Sequence, residues 1–341
     1  MESKRIGAQT LQLATPPAVI SFASVGGRME SQGPLGEFFD ELSEDHTWGQ
    51  KTWEKGESTM QQHALSHALE KAGLRESDID MIFAGDLLNQ CTASAFSLRE
   101  SRIPFCGLYG ACSTMGEGLA LAALMVDGGY ARRAAAMTSS HFCTAERQYR
   151  MPVPYGSQRS PTAQWTATAA GCCLLGEGGT GPYVTHVTIG QIVDLGITDS
   201  ANMGAAMAPA AYHTLRTLFR DTGTAPSDYD AIFTGDLGKL GHDIVVDLFA
   251  RDGIDIGKNY DDCGLLLYDR QGQDMHCGGS GCGCSASVLC SHLLRGMREG
   301  RWRRIVFAPT GALLSPTSSF QGETVPGICH AVVLCTEREE A

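Results

Sequence analysis

The segment SDIDMIFAGDL, residues 77–87, decides the fold, because it returns as SDYDAIFTGDL at residues 227–237. The offset is 227 − 77 = 150 residues. The same register continues upstream, where a histidine, a leucine and a glycine recur as His63, Leu65 and Gly73 against His213, Leu215 and Gly223. A helix, the glycine that ends it and the following buried strand are therefore predicted in two copies.

A second match follows later in each copy, with a longer offset. A glycine and two arginines recur at 300 − 129 = 171 residues, as Gly129, Arg132 and Arg133 against Gly300, Arg303 and Arg304. We therefore expect the second copy to hold 171 − 150 = 21 extra residues as a surface excursion between Lys239 and His276. Two copies are too few for a solenoid, which needs about three repeats to bury its core.

The repeat predicts an α/β fold of two similar halves, residues 1–180 and 181–341. Loop insertions are expected in the first half at residues 26–58 and 140–170, where no clear period is present. Apolar residues at helical spacing predict a helix over Thr59–Leu74 between them.

The composition limits the classes of partner. Of 341 residues, 43% are apolar and 19% charged, which is typical of a folded globular protein. A net charge of −12 disfavours nucleic acid and an anionic membrane surface as general partners, because the mean field repels both, and an anionic ligand needs a local basic pocket. The mixed sequence after Met1 predicts a soluble chain without a signal peptide, so any membrane contact would be peripheral.

The thirteen cysteines are expected to be reduced thiols in small buried spaces rather than a disulfide framework. Four of them, Cys277, Cys282, Cys284 and Cys290, lie close together in a glycine-rich stretch. Their spacing lacks the paired C-x2-C units that structural zinc sites prefer, so we expect no metal and no cofactor.

Cys112 lies in a sharp turn between an apolar strand, Ile103–Tyr109, and a helix that is apolar on nearly every face, residues 118–126. A thiol at a helix start is close to free backbone N–H groups and to the positive end of the helix dipole, which favour the thiolate. Cys112 is therefore a candidate nucleophile. The alternative is a structural cysteine in a tight turn.

The duplicated halves, the cysteine turn and the buried helix together resemble the thiolase superfamily, which includes the ketoacyl synthases. The resemblance implies a five-layered αβαβα fold built from two βαβαβαββ halves. It also implies an acylated cysteine assisted by a histidine at a strand end and by a histidine or asparagine in a glycine-rich turn. Here the histidine position falls at about Gly235, with Asp236 beside it, and the turn offers Ser280. We therefore expect a degenerate, non-catalytic site.

A closer resemblance is to the stage V sporulation protein AD family, a non-condensing branch of that superfamily. It is carried by the strings AGDLLNQ at residues 84–90, GACST at 110–114, TAERQYR at 144–150, DLGITD at 194–199 and GALLSP at 311–316. The resemblance implies binding of dipicolinic acid, pyridine-2,6-dicarboxylate, or of its calcium complex, in sporulation and germination. It also implies other stage V sporulation A membrane proteins as partners and peripheral association with the inner spore membrane.

A flat aromatic dianion favours guanidinium groups for its carboxylates and small donors at its edges. The residues expected to bind it are Cys112, Ser113, His141, Arg147, Arg150, Ser280 and Ser315. Several of these residues have a plain structural alternative: the arginines could be surface groups and His141 a structural histidine. The duplicated Asp86 and Asp236 are expected to hold the turns after their strands.

Two rival functions remain open at this stage. One is a cysteine-dependent acyltransferase or condensing enzyme that uses Cys112 with a relocated base, for example His141, His276 or His330. The other is a scaffold for membrane partners whose cleft is closed. Thiolase relatives pair their strands across a two-fold axis, so the resemblance also implies a homodimer, with Ile103–Tyr109 as the dimer edge.

Overall fold

The computed structural model describes residues 4–149 and 159–338. The first half contains the strands β1 (Thr10–Gln12), β2 (Ala18–Gly26), β3 (Glu41–Leu42), β4 (Met81–Gly85), β5 (Phe105–Leu108), β6 (Arg133–Ser140), β7 (Trp165–Thr166) and β8 (Ala169–Gly176). Its helices are α1 (Arg28–Ser31), α2 (Trp53–Ala72), α3 (Thr92–Ser97), α4 (Thr114–Asp127) and α5 (Phe142–Tyr149).

The second half contains the strands β9 (Tyr183–Thr188), β10 (Ala231–Thr234), β11 (Tyr260–Asp262), β12 (Gly279–Ser280), β13 (Arg304–Ala308), β14 (Thr310–Ala312), β15 (Gly327–Cys329) and β16 (Ala331–Cys335). Its helices are α6 (Met203–Thr222), α7 (Gly238–Arg251), α8 (Cys263–Leu266), α9 (Cys282–Val288), α10 (Leu294–Arg298) and α11 (Pro316–Phe320), with a π-helical turn at Leu289–Leu293 between α9 and α10.

The strand order confirms the duplication. In the first half β5, β4 and β6 are parallel, β8 is antiparallel to β6, and β2 is antiparallel to β8. In the second half β11, β10 and β13 are parallel, β16 is antiparallel to β13, and β9 is antiparallel to β16. The two sets join edge to edge where Ala18 of β2 pairs with Tyr183 of β9.

Three hydrophobic clusters define five layers and confirm the αβαβα fold. One cluster packs α2 against the outer face of the first sheet, and a second packs α6 and α7 against the outer face of the other sheet. The third lies between the sheets and contains α4 and α9. Helix α4 is buried on most of its faces, as the apolar run predicted.

The paired helices α2 and α6 end in the same way. Gly73 and Gly223 follow them with φ of 64° and 68°, a left-handed conformation that glycine adopts without steric cost. Helix α2 begins six residues (59 − 53) before the expected start, because the Thr52 side chain accepts a hydrogen bond from the Lys55 N–H and caps it. The first loop insertion therefore ends at Thr52 and holds α1 and β3.

The extra residues of the second half lie largely within the expected range, but they are a surface excursion only in part, since residues 269–274 are mostly exposed and their neighbours are buried. Strand β11 starts 260 − 105 = 155 residues after β5, so most of the insertion follows it, as α8 and the segment before β12. Tyr268 and Met275 in this segment are buried, and the Tyr268 hydroxyl donates to the buried carboxyl of Glu30. The insertion therefore packs against the segment that follows β2.

All thirteen cysteines are free thiols, and ten of them are buried. Within residues 4–149 and 159–338, no cluster of three histidine, cysteine or acidic side chains is arranged to hold a metal ion. In the same part of the chain, no helix is both long enough and apolar enough to cross a bilayer.

Candidate functional site

Cys112 lies in the turn between β5 and α4, where the chain makes a single 3-10 turn over Ala111–Ser113. Ala111 holds a φ of 50°, and the turn is pressed against β14, since a Cβ at Gly311 would lie 2.2 Å from the Gly110 carbonyl oxygen. The turn is therefore fixed by the second half of the chain. It leaves Cys112 5% exposed, at the wall of a cavity.

The Cys112 thiol faces a carboxyl group rather than a base of the histidine type. The Cys112 sulfur lies close to the Asp236 carboxyl group and to the Gly281 N–H, and each of them affects the pKa of the thiol. Burial, followed by the negative charge of Asp236, raises the pKa of the thiol well above its ordinary value. The expectation that the helix start would favour the thiolate was wrong, because desolvation and the neighbouring acid outweigh the helix dipole.

Asp236 is fully buried directly after β10. Its carboxylate accepts hydrogen bonds from the Thr310 hydroxyl at 2.9 Å, the Ser280 hydroxyl at 3.2 Å and the Gly281 N–H at 3.3 Å. Burial is the main cause that raises its pKa to about 7, and the charge of Asp262 adds to the effect. Near neutral pH this carboxyl is therefore poised between its protonated and charged forms.

The expectation that both duplicated aspartates hold their own turns is correct for Asp86 only. Asp86 accepts from the Leu88 N–H at 2.9 Å and from the N–H and hydroxyl of Ser94. In the second half Asp262 has the turn-holding role, since it accepts from the N–H groups of Leu237 and Gly238. Asp236 is thus free to face Cys112.

The cavity beside Cys112 has a volume of about 240 Å³. It is mostly apolar, with hydroxyl groups at intervals, and is lined by Leu87, Ala111, Cys112, Ala145, Glu146, Tyr149, Thr166, Ser200, Ala201, Met203, Ser280, Ala312, Leu314, Pro316, Ser319 and Phe320. No arginine, lysine or histidine of the described chain is among these lining residues. The cavity is open, and the part of its lining that the structure describes is not basic.

Of the residues expected to bind ligand, the structure brings Cys112 and Ser280 together at this cavity. Ser113 is buried inside the turn, where its hydroxyl donates to the Gly110 carbonyl at 2.6 Å. Ser315 does not line the cavity either. Its side chain caps α11 by accepting from the Ser318 N–H at 3.1 Å, and so positions lining residues such as Ser319.

His141 and Arg147 lie away from the cavity lining. The His141 ring is buried, and its Nε2 is 2.7 Å from the His46 carbonyl oxygen, while burial lowers its pKa to about 4. The Arg147 guanidinium is 3.0 Å from the Glu54 carboxylate and stacks over Trp53. These contacts match the structural alternatives for both residues. Arg150 lies outside the described residues.

The histidines considered as relocated bases do not reach Cys112 either. His276 is held by the Ser160 carbonyl at 2.7 Å and lies 3.3 Å from Asp274. His330 accepts from the Gly190 N–H at 3.2 Å through Nδ1, and burial lowers its pKa to about 4. None of the three lines the cavity.

Sequence reasoning missed several lining groups. Tyr149 is the clearest, since its hydroxyl donates to the Leu87 carbonyl at 2.6 Å and pairs with the Tyr109 hydroxyl at 2.6 Å. Glu146 lies on the same helix, one turn earlier. Both belong to the string TAERQYR, in which the arginines had attracted attention because the expected ligand is anionic.

The fold and the cysteine turn define a thiolase-like protein related in architecture to the ketoacyl synthases. The 3-oxoacyl-[acyl-carrier-protein] synthase III from Aquifex aeolicus VF5 superposes with a TM-score of 0.56 at 12% identity, over 94% of this chain and 99% of that one. The acetamide-bound OleA of Xanthomonas campestris superposes with a TM-score of 0.59 at 14% identity, over 95% of this chain and 99% of that one. At such identity the likeness shows the fold alone.

Comparison of sequences identifies the family within this class. The family model for stage V sporulation protein AD matches residues 7–335. The stage V sporulation protein AD of Bacillus subtilis (strain 168) is 45% identical over 330 residues, which is 97% of each chain. The chain therefore belongs to the stage V sporulation protein AD family, and the resemblance expected from its motifs is confirmed.

Proposed function

We propose that this chain is a non-catalytic member of its fold that binds dipicolinic acid, free or as the calcium complex, in the cavity beside Cys112. In this role it supports movement of the ligand into or out of the spore core. The observation that carries the proposal is the pairing of the Cys112 thiol with the buried acid Asp236. A thiol with a raised pKa beside a carboxyl group is a poor nucleophile at neutral pH.

The cavity suits a single substituted aromatic ring. Its volume of about 240 Å³ is below the range of about 300–1,000 Å³ typical for drug-sized ligands. Leu87, Tyr149 and Leu314 offer apolar surface to the faces of a ring. The hydroxyl groups of Thr166 and Ser280 can serve the polar edge of the ligand, and the buried Asp236 behind Ser280 loses its negative charge when it carries a proton.

Calorimetric titration of the purified chain with dipicolinic acid, with and without calcium, tests this proposal. We expect saturable binding, which Ser319→Trp should abolish by filling the cavity. Thr317→Trp is the matched control, since it places the same ring on the exposed side of α11, outside the lining. The proposal is wrong if folded protein gives no saturable signal at millimolar ligand, or if both variants bind as the parent does.

Acyl transfer is the second candidate, and the position of Cys112 in the turn before α4, at the wall of an open cavity, is the observation that favours it. In such a step the sulfur would attack an acyl thioester, the coenzyme thiolate would leave, and Asp236 would take the thiol proton. Incubation with acyl-coenzyme A followed by mass spectrometry separates the two functions. We expect no adduct on Cys112, whereas an adduct that Cys112→Ala removes would establish the enzyme.

The third hypothesis is a scaffold for membrane partners with a closed cleft. The open cavity does not support it. We further propose a homodimer across β5, which is the outermost strand of the first sheet and exposes Phe105, with Tyr109 exposed directly after it. Light scattering at micromolar concentration tests this, and a monomeric mass would contradict it. Stage V sporulation A membrane proteins as partners, and peripheral contact with the inner spore membrane, remain part of this proposal.

A further inference from the structure

A second cavity, of about 540 Å³, lies in the first half at the end of the sheet opposite Cys112. It is formed by the end of α2, the start of β6 and the end of β8 with the loop that follows. Its lining residues are Ile20, Lys71, Ala72, Leu74, Arg132, Arg133, Gly176, Glu177 and Gly178. No residue of the site described above contributes to it.

Positive charge predominates in the lining of this cavity, although the chain as a whole carries −12. Lys71, Arg132 and Arg133 face a single lining acid, Glu177. Lys71 also pairs with Asp40 at 2.8 Å, from outside the lining. The Arg133 guanidinium reaches the Asp78 carbonyl at 3.5 Å.

Arg132 differs from its neighbours in that its guanidinium makes no hydrogen bond or ion pair within the described chain. Its backbone N–H donates to Asp80 at 2.7 Å, and its charge helps to lower the pKa of that carboxyl group. Beside it runs the glycine-rich segment GEGGTG, residues 176–181, which is exposed from Glu177 to Thr180. Backbone N–H groups in such a loop can approach an anion closely, because glycine has no side chain to obstruct them.

The equivalent corner of the second half is closed by the chain itself. Lys71 corresponds to Asp221 at the offset of 150, so the charge is reversed. Asp221 accepts from the N–H groups of Gln9 and Thr10 at 2.9 and 3.2 Å, which seats the N-terminal segment there. The two arginines recur as Arg303 and Arg304, so the first half differs in having Lys71 where the second half has Asp221 and the bound N-terminal segment.

We propose that this cavity, named the Arg132 cavity, binds a phosphate-bearing anion. Arginine forks, an ammonium group and backbone N–H groups are the donors that recognise phosphate oxygens. The anion could be a free phosphate compound or the headgroup of an acidic phospholipid, which share this chemistry. The inference is independent of dipicolinate binding at Cys112.

Two probes test the proposal on the full chain. Calorimetric titration with inorganic pyrophosphate reports a free ligand, and co-sedimentation with phosphatidylglycerol–phosphatidylcholine vesicles, against phosphatidylcholine alone, reports a headgroup. Arg132→Glu should weaken the binding of at least one probe by about tenfold or more, since it replaces an attractive charge with a repulsive one. Arg132→Gln should weaken it less.

Lys258→Glu is the matched control, because it makes the same change of charge at a lysine that is 84% exposed and lies outside the cavity. It should bind both probes as the parent does. Pyrophosphate binding alone would assign a free ligand, and vesicle binding alone a headgroup. The proposal is overturned if folded parent protein binds neither probe, or if Arg132→Glu and Lys258→Glu weaken binding equally.

Discussion

Asp86 and Asp236 occupy equivalent positions after β4 and β10, yet they have different neighbours. Asp86 accepts hydrogen bonds from the N–H groups of Leu88 and Ser94 in the segment that follows its own strand. Asp236 reaches across to the thiol of Cys112, which belongs to the other half. The comparison teaches that a duplicated residue acquires its role from what the opposite half places in front of it.

The second neighbour of each aspartate differs as well. Beside Asp86 stands the buried acid Glu57, whose position in the other half, at the offset of 150, is taken by Met207. Burial, followed by the charge of Asp86, raises the pKa of Glu57 to about 8. The first half therefore carries a buried pair of acids, whereas the second half carries an acid and a thiol.

The largest expected effect is on stability and comes from removing Asp86, the aspartate with a structural role. Asp86→Ala should lower the free energy of unfolding by about 3 kcal/mol, because it leaves the buried N–H of Ser94 and that of Leu88 without an acceptor. Urea unfolding measures the change. Asp247→Ala, at an exposed acid of α7, should cost less than about 0.5 kcal/mol. Equal effects of the two variants would contradict a structural role for Asp86.

The second largest expected effect is a fall in the free energy of unfolding as pH rises, which the buried carboxyl group of Glu57 causes. Its pKa is raised from 4.5 to about 8 by folding, so the folded state keeps a proton that the unfolded state releases between these values. Its contribution to stability is therefore present below pH 4.5 and lost through about pH 8. Glu57→Gln should remove about 2 kcal/mol of this pH dependence in urea unfolding. An unchanged slope would contradict it.

Asp236→Asn tests the role of the aspartate that faces the Cys112 thiol. Removing the negative charge should lower the pKa of the Cys112 thiol, since that charge is the second cause of its elevation after burial. We expect alkylation of Cys112 by iodoacetamide at pH 8 to become about tenfold faster, corresponding to one unit of pKa. Asp86→Asn is the matched control, and it should leave the rate unchanged.

The smallest expected effect concerns ligand binding under the proposed function. Asp236, with a pKa of about 7, lies behind Ser280 and repels a ligand carboxylate above that pH, where it is charged. Dipicolinate affinity should therefore fall by about fivefold between pH 6 and pH 8, and Asp236→Asn should flatten the profile. Calorimetry at both pH values measures this. A pH-independent affinity in the parent would show that the charge of Asp236 does not act on the ligand.

Local pattern and duplication predicted much of the fold. The glycine stops at Gly73 and Gly223, the buried helix α4 and the strands around it follow from spacing that is visible within one segment. The family resemblance supplied the five layers. These features depend on neighbours in the chain or on a repeat, so they can be read without the tertiary structure.

The site could be predicted only in part, because its decisive contact joins residues 236 − 112 = 124 positions apart. No local period indicates that Asp236 faces Cys112 rather than its own turn. The contacts of Arg147 were equally hidden, since they depend on the early start of α2, which brings Trp53 and Glu54 to α5. Composition favoured arginines at the ligand, while the cavity is lined by hydroxyl and apolar groups.

The pH dependence of Cys112 alkylation tests most directly whether this sulfur holds a ligand or performs chemistry. The rate should be read from the peptide that contains Cys112, because Cys106 is exposed and reacts separately. We predict a rate that is very low at pH 7 and still rising above pH 9, as the raised pKa of the thiol requires. A rate that reaches its plateau at or below about pH 7 would reveal an activated thiolate and contradict the account.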